Sequence, residues 1–268
     1  MVPAGERDVR ALQFLGSQEG LPLFVLGAGA NILVSDLGIR GIVVDMRRFD
    51  YCVRDGETLV VGSGTPMSVA CEYAAKESLS GLEFIYGMPG SAGGSVWMNA
   101  RCYETSLSER LERVRFVDEH GEKRTSVVRE DEYSYKRSPF QQTRAVIVEV
   151  VCGLRSGTER EIRTAMRNRY EDRKRKGHYA APSVGSIFKN NRRLGAPTGK
   201  ILDDLGLRGY RIGGAGIAEY HANIVINIHK ATAADILSVI EHAETRALDD
   251  AGLQLEREVL LVGDWPNR

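Results

Sequence analysis

The sequence predicts an α+β protein of two lobes that join near residue 155. Three observations predict it. Through the first half, short runs rich in Val and Ile alternate with helical patterns, and glycine-rich turns separate them. Near residue 155 the character changes to a long helix with a basic end, followed by short strands and a second capped helix. A chain of 268 residues is also long enough for one large or two small cores. The expected domains are therefore 1–155 and 156–268.

Each element has a local reason. Residues 5–19 place Val9, Leu12 and Leu15 on one helical face that ends near Gly20. The strand LPLFVLG runs into the turn GAGAN, and GIVVDM at 41–46 is a further strand. Asp55-Gly56 reads as a hairpin turn between YCVR and ETLVVG. Thr65 and Pro66 suit an N-cap and a first helical position, for a helix carrying Val69, Ala70, Tyr73 and Ala74. After GMPGSAGG the strands return in LERVRFVDE, SVV and RAVIVEVVCGL. In the second lobe, Thr158 and Glu161 form a capping-box pattern for a helix with Ile162, Met166 and Tyr170 inside. Thr232 with Asp235 opens the helix ILSVIEHAETRAL, Gly252 stops it, and REVLLVG is the last strand.

Composition excludes several functions. The chain has 36 basic and 36 acidic side chains, so it lacks the basic excess that nucleic acid or an anionic membrane demands. No apolar run approaches the roughly 18 residues of a membrane span. Glu6, Arg7, Asp8 and Arg10 precede any apolar run, unlike a signal peptide. Cys52, Cys71, Cys102 and Cys152 are widely spaced and read as reduced thiols of a cytoplasmic protein. None of the five histidines has metal-ligand spacing, so no metal site is expected. The six Lys or Arg residues of 167–176 read as a solvated helix end.

Glycine is the outlier: 29 residues of 268, about 11% against a usual value of about 7%. Three glycine-rich turns lie in the first 95 residues, at 27–31, 62–66 and 87–94, each expected to follow a strand. Glycine lets main chain approach a ligand and point successive N–H groups at an anion. The Rossmann fingerprint fails, because Ile32 stands where the third glycine belongs. Three such turns suggest an extended, phosphate-bearing cofactor laid over several loops.

The ordered motifs resemble one family. LGAGANILVSD (26–36) resembles the flavin-diphosphate loop of the UDP-N-acetylenolpyruvoylglucosamine reductases, and GLEFIYGMPGSAGGSVWMNA (81–100) their second flavin segment. PSVGSIFKN (182–190) is similar to their catalytic serine motif, GLRGYRIGGAGIAEYHANIVIN (206–227) to their C-terminal domain, and LEREVLLVG (255–263) to their terminal strand. The lack of a long tyrosine-bearing insertion is similar to the shorter, type II branch. The resemblance implies an FAD-binding lobe of the vanillyl-alcohol-oxidase (PCMH) type and a smaller α+β substrate lobe. It implies that NADPH reduces FAD and that the enolpyruvyl ether of UDP-N-acetylglucosamine is then reduced to UDP-N-acetylmuramic acid, in cell-wall peptidoglycan synthesis.

It also assigns residues. Ser186 takes the proton-donor place, and Glu258 the place of a glutamate that acts at the substrate carboxylate or hands on a proton. The family has Tyr-Arg-x-Ser-x-Phe where this chain has Tyr135-Lys136-Arg137-Ser138-Pro139-Phe140, which puts Lys136 at the arginine's place, with Arg137 as the alternative. Lys176 and Asn190 fall at substrate-contacting positions. Gly27, Ala28, Gly29, Ala30, Asn31, Met88, Pro89, Gly90, Ser91, Gly93, Gly94 and Asn99 fall at flavin-contacting ones. The implied partners are the nucleotide-sugar and NADPH, with no nucleic acid or membrane, and the chain is expected to act as a monomer.

Departures from the family qualify the expectation. VPAGERDVRALQ looks like the family's Val-Glu-Pro segment without the stretch that usually precedes it, which implies a late start or a lobe lacking its first strand. In the latter case an open sheet edge weakens FAD retention. Arg101 and Cys102 replace smaller residues after Asn99-Ala100, and Gly214-Ala215-Gly216 lacks a common glutamine. Two other readings remain: another FAD oxidoreductase with the same first lobe, and a flavin-free remnant that binds a nucleotide-sugar.

Overall fold

The computed structural model describes residues 1–265, with Arg192 described by its backbone alone. The chain divides into two compact units: Met1–Gly29 with Gly41–Glu171, and Ala30–Arg40 with Asp172 onward. The division comes after Glu171, beyond the change in sequence character near residue 155, and residues 30–40 group with the second unit.

In the first unit an antiparallel sheet orders its strands Lys123–Val127, Leu111–Val117, Val146–Gly153, Thr58–Gly62 and Cys52–Asp55. The strand Val146–Gly153 is buried along nearly its whole length, as its predominantly apolar sequence demands. Against one face lie helices α2 (Met67–Lys76) and α3 (Ala92–Trp97), which bring Ala70, Cys71, Ala74, Ala92 and Val96 to Leu59, Val61, Val150 and Cys152. Against the other lie helix α1 (Glu6–Gln18) and the parallel pair Leu23–Leu26 with Ile42–Asp45, around Val9, Val44, Met46, Val146 and Val148. One charge interrupts the run. Glu149 is buried, and its carboxylate accepts from the Tyr51 hydroxyl at 2.7 Å and from Arg115 Nη1 at 3.1 Å. A buried carboxylate is tolerable only with such partners.

Several local expectations need correction. α1 buries Val9, Gln13 and Gly16 and leaves Leu15 exposed, because Gly16 lets the helix close on the Leu21 carbonyl. The hairpin pairs Asp55 with Thr58, so its loop residues are Gly56 and Glu57, with Gly56 taking the left-handed conformation at φ +62°. Pro66, not Thr65, is the N-cap of α2; the buried Thr65 hydroxyl instead accepts from the Tyr51 N–H at 3.0 Å. The third glycine turn follows a 3-10 turn at Glu83–Ile85 rather than a strand.

Helix α4 spans Glu159–Arg175. Thr158 caps it as expected, accepting from the Glu161 N–H at 3.4 Å. Ile162 and Met166 are buried, whereas Tyr170 is exposed. The second unit holds an antiparallel sheet in the order Ser183–Ser186, His221–Asn227, Ala215–Ala218, Arg211–Ile212. Helices α5 (Thr198–Asp204) and α6 (Ala233–Ala251) supply Leu202, Val239, Ile240 and Ala243 to a core with Ile187, Phe188, Ile217 and Val225. The Thr232–Asp235 capping box and the left-handed Gly252 (φ +66°) delimit α6 as the sequence predicts. Ile32–Val34 pairs in parallel with Leu260–Val262, so Glu258 precedes the last strand rather than lying in it. No described helix is long and apolar enough to cross a membrane.

Candidate active site

In the first unit the three glycine turns gather at one place. Gly93 N–H donates to the Ser63 carbonyl at 2.8 Å and Ala92 N–H to that of Thr65 at 2.9 Å, which joins the second turn to the third. The first turn reaches the same spot, since a Cβ on Gly27 would collide with the Ser91 hydroxyl. A Cβ on Gly93 would stand 2.8 Å from Ser63 Cβ, and one on Gly64 would overlap the Met46 carbonyl. Ser91 caps α3 by accepting from the Gly94 N–H. Gly29 and Gly90 have φ of +67° and +147°, conformations in which a side chain is strained.

The Ser63 hydroxyl is buried in this cradle with no hydrogen-bond partner among the described residues. An orphaned buried hydroxyl among side-chain-free turns fits a polar ligand that lies on main chain. The residues present therefore suit a dinucleotide such as FAD. Not every expected position serves that role alike. Met88 packs partly on the first unit's core. Gly29 is the last residue of its stretch in the first unit, and Ala30 and Asn31 belong to the second.

Asn99 and Lys136 come together through backbone. Asn99 is buried at φ +44°; its Nδ2 donates to the Ser134 carbonyl at 2.9 Å, and its Oδ1 accepts from the Ser108 N–H at 3.1 Å. Both ends of the side chain are thus spent on shaping the loop. Ser134 and Arg137 exchange two hydrogen bonds across a tight turn with Tyr135 and Lys136 at its tip. Lys136 takes φ +58°, and Gln141 Nε2 bridges its carbonyl at 3.0 Å to that of Trp97 at 2.9 Å. A non-glycine residue held left-handed by such bonds is a common feature of functional loops.

In the second unit Ser186 ends the strand Ser183–Ser186, half-buried, opposite Ile224. Its hydroxyl has no hydrogen-bond partner among the described residues. The next two residues are held tightly. Ile187 N–H donates to the Asn223 carbonyl at 3.0 Å. The Asn223 side chain accepts from Phe188 N–H at 2.9 Å and donates to the Phe188 carbonyl at 2.8 Å. Asn223 is buried and acts as a substitute strand. The Ile187 carbonyl accepts from Glu258 N–H at 2.8 Å, which sets Glu258 beside the residue that follows Ser186. Sequence reasoning missed Asn223, whose partner lies 35 residues away; an asparagine inside the strand pattern HANIVIN was the available signal.

The remaining positions are less concentrated. Asn190 Oδ1 accepts from the Thr198 N–H at 2.9 Å, at the start of α5. Lys176 lies exposed just past α4, with Nζ 2.7 Å from Asp172 Oδ2. Near it His178, half-buried, is pushed down to about 4, by burial first and then by the charge of Arg173.

Comparison with known proteins bears on the whole chain. A family model described as the C-terminal domain of UDP-N-acetylenolpyruvoylglucosamine reductase matches residues 177–262, and one described as an FAD binding domain matches residues 1–126. The UDP-N-acetylenolpyruvoylglucosamine reductase of Treponema denticola is 39% identical over 272 residues, covering 95% of this chain and 84% of its own. That of Borreliella burgdorferi is 39% identical over 264 residues, covering 98% and 87%. The crystal structure of the Thermus caldophilus reductase superposes with a TM-score of 0.82 at 28% identity, covering 97% of this chain and 91% of the other.

Proposed function

The chain belongs to the UDP-N-acetylenolpyruvoylglucosamine reductase family, and from that premise we propose that Ser186, Glu258 and Lys136 are its reacting groups. It is an FAD-dependent oxidoreductase of peptidoglycan synthesis, reducing UDP-N-acetylglucosamine enolpyruvate to UDP-N-acetylmuramate at the expense of NADPH. When bound, FAD supplies the hydride chemistry. Gly27, Ala28, Gly29, Ala30, Asn31, Met88, Pro89, Gly90, Ser91, Gly93, Gly94 and Asn99 hold or shape its site, and Ser63 adds a buried hydroxyl that was not expected.

Reducing an enolpyruvyl ether gathers negative charge next to the substrate carboxylate, and the resulting carbon must then be protonated. Ser186 delivers that proton. A serine hydroxyl is a weak acid, but a carbanion-like enolate is a base strong enough to take its proton. Glu258 hands on a proton at the carboxyl end. Lys136 places a positive charge there, as a point charge rather than the fork an arginine offers. Lys176 neutralises diphosphate, and Asn190 sits on the nucleotide-sugar. The observation that carries the reading is the 2.8 Å bond from Glu258 N–H to the Ile187 carbonyl, which holds Glu258 beside the residue that follows Ser186, whose hydroxyl has no hydrogen-bond partner among the described residues. We infer further that the enzyme works as a monomer in the cytoplasm; the free thiols of Cys52, Cys71 and Cys152 support that compartment.

The test is direct. The purified protein should show a flavin absorbance band and oxidise NADPH only with the enolpyruvyl substrate. Ser186→Ala should leave reduction by NADPH intact and slow reoxidation by substrate by about 10²–10⁴-fold, the usual weight of acid–base catalysis. Equal reoxidation rates in variant and parent would remove Ser186 from the mechanism.

A further inference from the structure

Beyond Gly29 the chain turns out of the glycine loop and enters the strand Ile32–Val34, paired in parallel from Ile32 opposite Leu260 to Val34 opposite Val262. One residue earlier the pairing continues in a different form. The Asn31 carbonyl accepts from Leu260 N–H at 3.1 Å, as a strand partner would. Its side-chain Nδ2 donates to the Glu258 carbonyl at 2.9 Å, across 227 positions of sequence. The amide thus makes the rung that the main chain, already bending toward Gly29, cannot make. On the other side, Glu258 N–H is held by the Ile187 carbonyl at 2.8 Å. Both backbone polar groups of Glu258 are therefore fixed, one by the residue after Ser186 and one by Asn31. With them is fixed the direction in which its Cα–Cβ bond leaves the chain.

We propose that Asn31 is a positioning residue: its side chain serves Glu258 rather than the cofactor, and sets that carboxylate in register with Ser186. The inference rests on the reading of Ser186 and Glu258 as the proton-handling pair. A displacement of about 1 Å at a reacting group costs up to about 10²-fold in rate, so the amide's contribution is measurable.

The experiment compares Asn31→Ala, Asn31→Gln, Glu258→Gln and the double variant Asn31→Ala/Glu258→Gln in stopped-flow half-reactions. Amide hydrogen exchange on flavin-free protein is a second readout. Asn31→Ala should slow reoxidation by substrate about tenfold more than it slows reduction by NADPH. Asn31→Gln, which keeps the donor on a longer arm, should recover part of the loss. The double variant should be no slower than Glu258→Gln alone, because a group that acts through Glu258 has nothing left to position. In flavin-free Asn31→Ala, exchange should rise at residues 258–260. Additive losses in the double variant, or equal slowing of both half-reactions with loss of flavin, would overturn the proposal and leave Asn31 a cofactor ligand. A Glu258→Gln enzyme as fast as its parent would overturn it differently, by removing the pair on which it rests.

Discussion

Around Gly27, Ser63 and Gly93 the chain closes to main-chain contact because no side chain stands at the point of approach. Around Ser186 and Glu258 it is held by the buried amide of Asn223 and by the half-buried amide of Asn31, each replacing a missing strand partner. The first arrangement presents backbone and one buried hydroxyl, and tolerates no added atom. The second presents side chains whose placement depends on other side chains. A cofactor that stays bound is served by the first kind of site, and a proton that must be delivered to one carbon by the second.

The largest expected effect breaks the second region. Asn223→Ala leaves Phe188 N–H and C=O without partners in a fully buried setting, at about 1–3 kcal/mol for each group. Chemical denaturation should show a loss of about 2–6 kcal/mol, with reoxidation by substrate slowed more than reduction by NADPH. A variant as stable and as fast as the parent would mean that Asn223 is only a neighbour of the site.

Breaking the first region costs less. Gly93→Ala puts a methyl group 2.8 Å from Ser63 Cβ and 3.1 Å from the Ser63 carbonyl. Overpacking of this kind costs about 1–3 kcal/mol, which should appear as weaker FAD retention of about 5- to 150-fold. Flavin content after dialysis measures it, and a parent-like value would disprove the gathering of the three turns as the cofactor's seat.

The two regions also differ in how much the sequence disclosed. Glycine excess and its clustering located the cradle, because glycine is chosen for a backbone property that is local. The Thr232–Asp235 box and Gly252 were legible for the same reason. Thr65 was misread because its hydroxyl answers Tyr51, 14 residues away, rather than the helix it precedes. Ser186 and Glu258 were found only through a resemblance. Asn223 was not found at all, and the bond from the Asn31 side chain to the Glu258 carbonyl was not foreseen. No local pattern announces an amide whose partner is a distant main-chain group.

The smallest effect sharpens the contrast, since a backbone cradle does not titrate whereas a side-chain site does. His178 has an ordinary value of 6.5 and is pushed down to about 4, first by burial, then by Arg173, with His221 and Lys176 adding to it and Asp172 opposing. Between those values the unfolded chain binds the proton and the folded one does not, so stability rises with pH. It is fully kept above about 6.5 and lost progressively toward about 4. In the first unit the sign is the same but the window is lower. The Tyr86 hydroxyl's hydrogen bond, opposed by burial and aided by Arg163, holds the Glu72 carboxyl below its ordinary 4.5. The stability that Glu72 contributes is therefore present above 4.5 and lost as pH falls through its folded value. Because His178 is only half-buried, solvent screening keeps its contribution modest. His178→Gln should therefore flatten part of the stability loss between about pH 6.5 and 4, with the remainder shared by His221 and His242, whose values burial also lowers. It should leave the loss at lower pH unchanged. Urea midpoints at pH 7.5, 5 and 4 for parent and variant decide it, and identical slopes across that upper window would assign the acid sensitivity elsewhere.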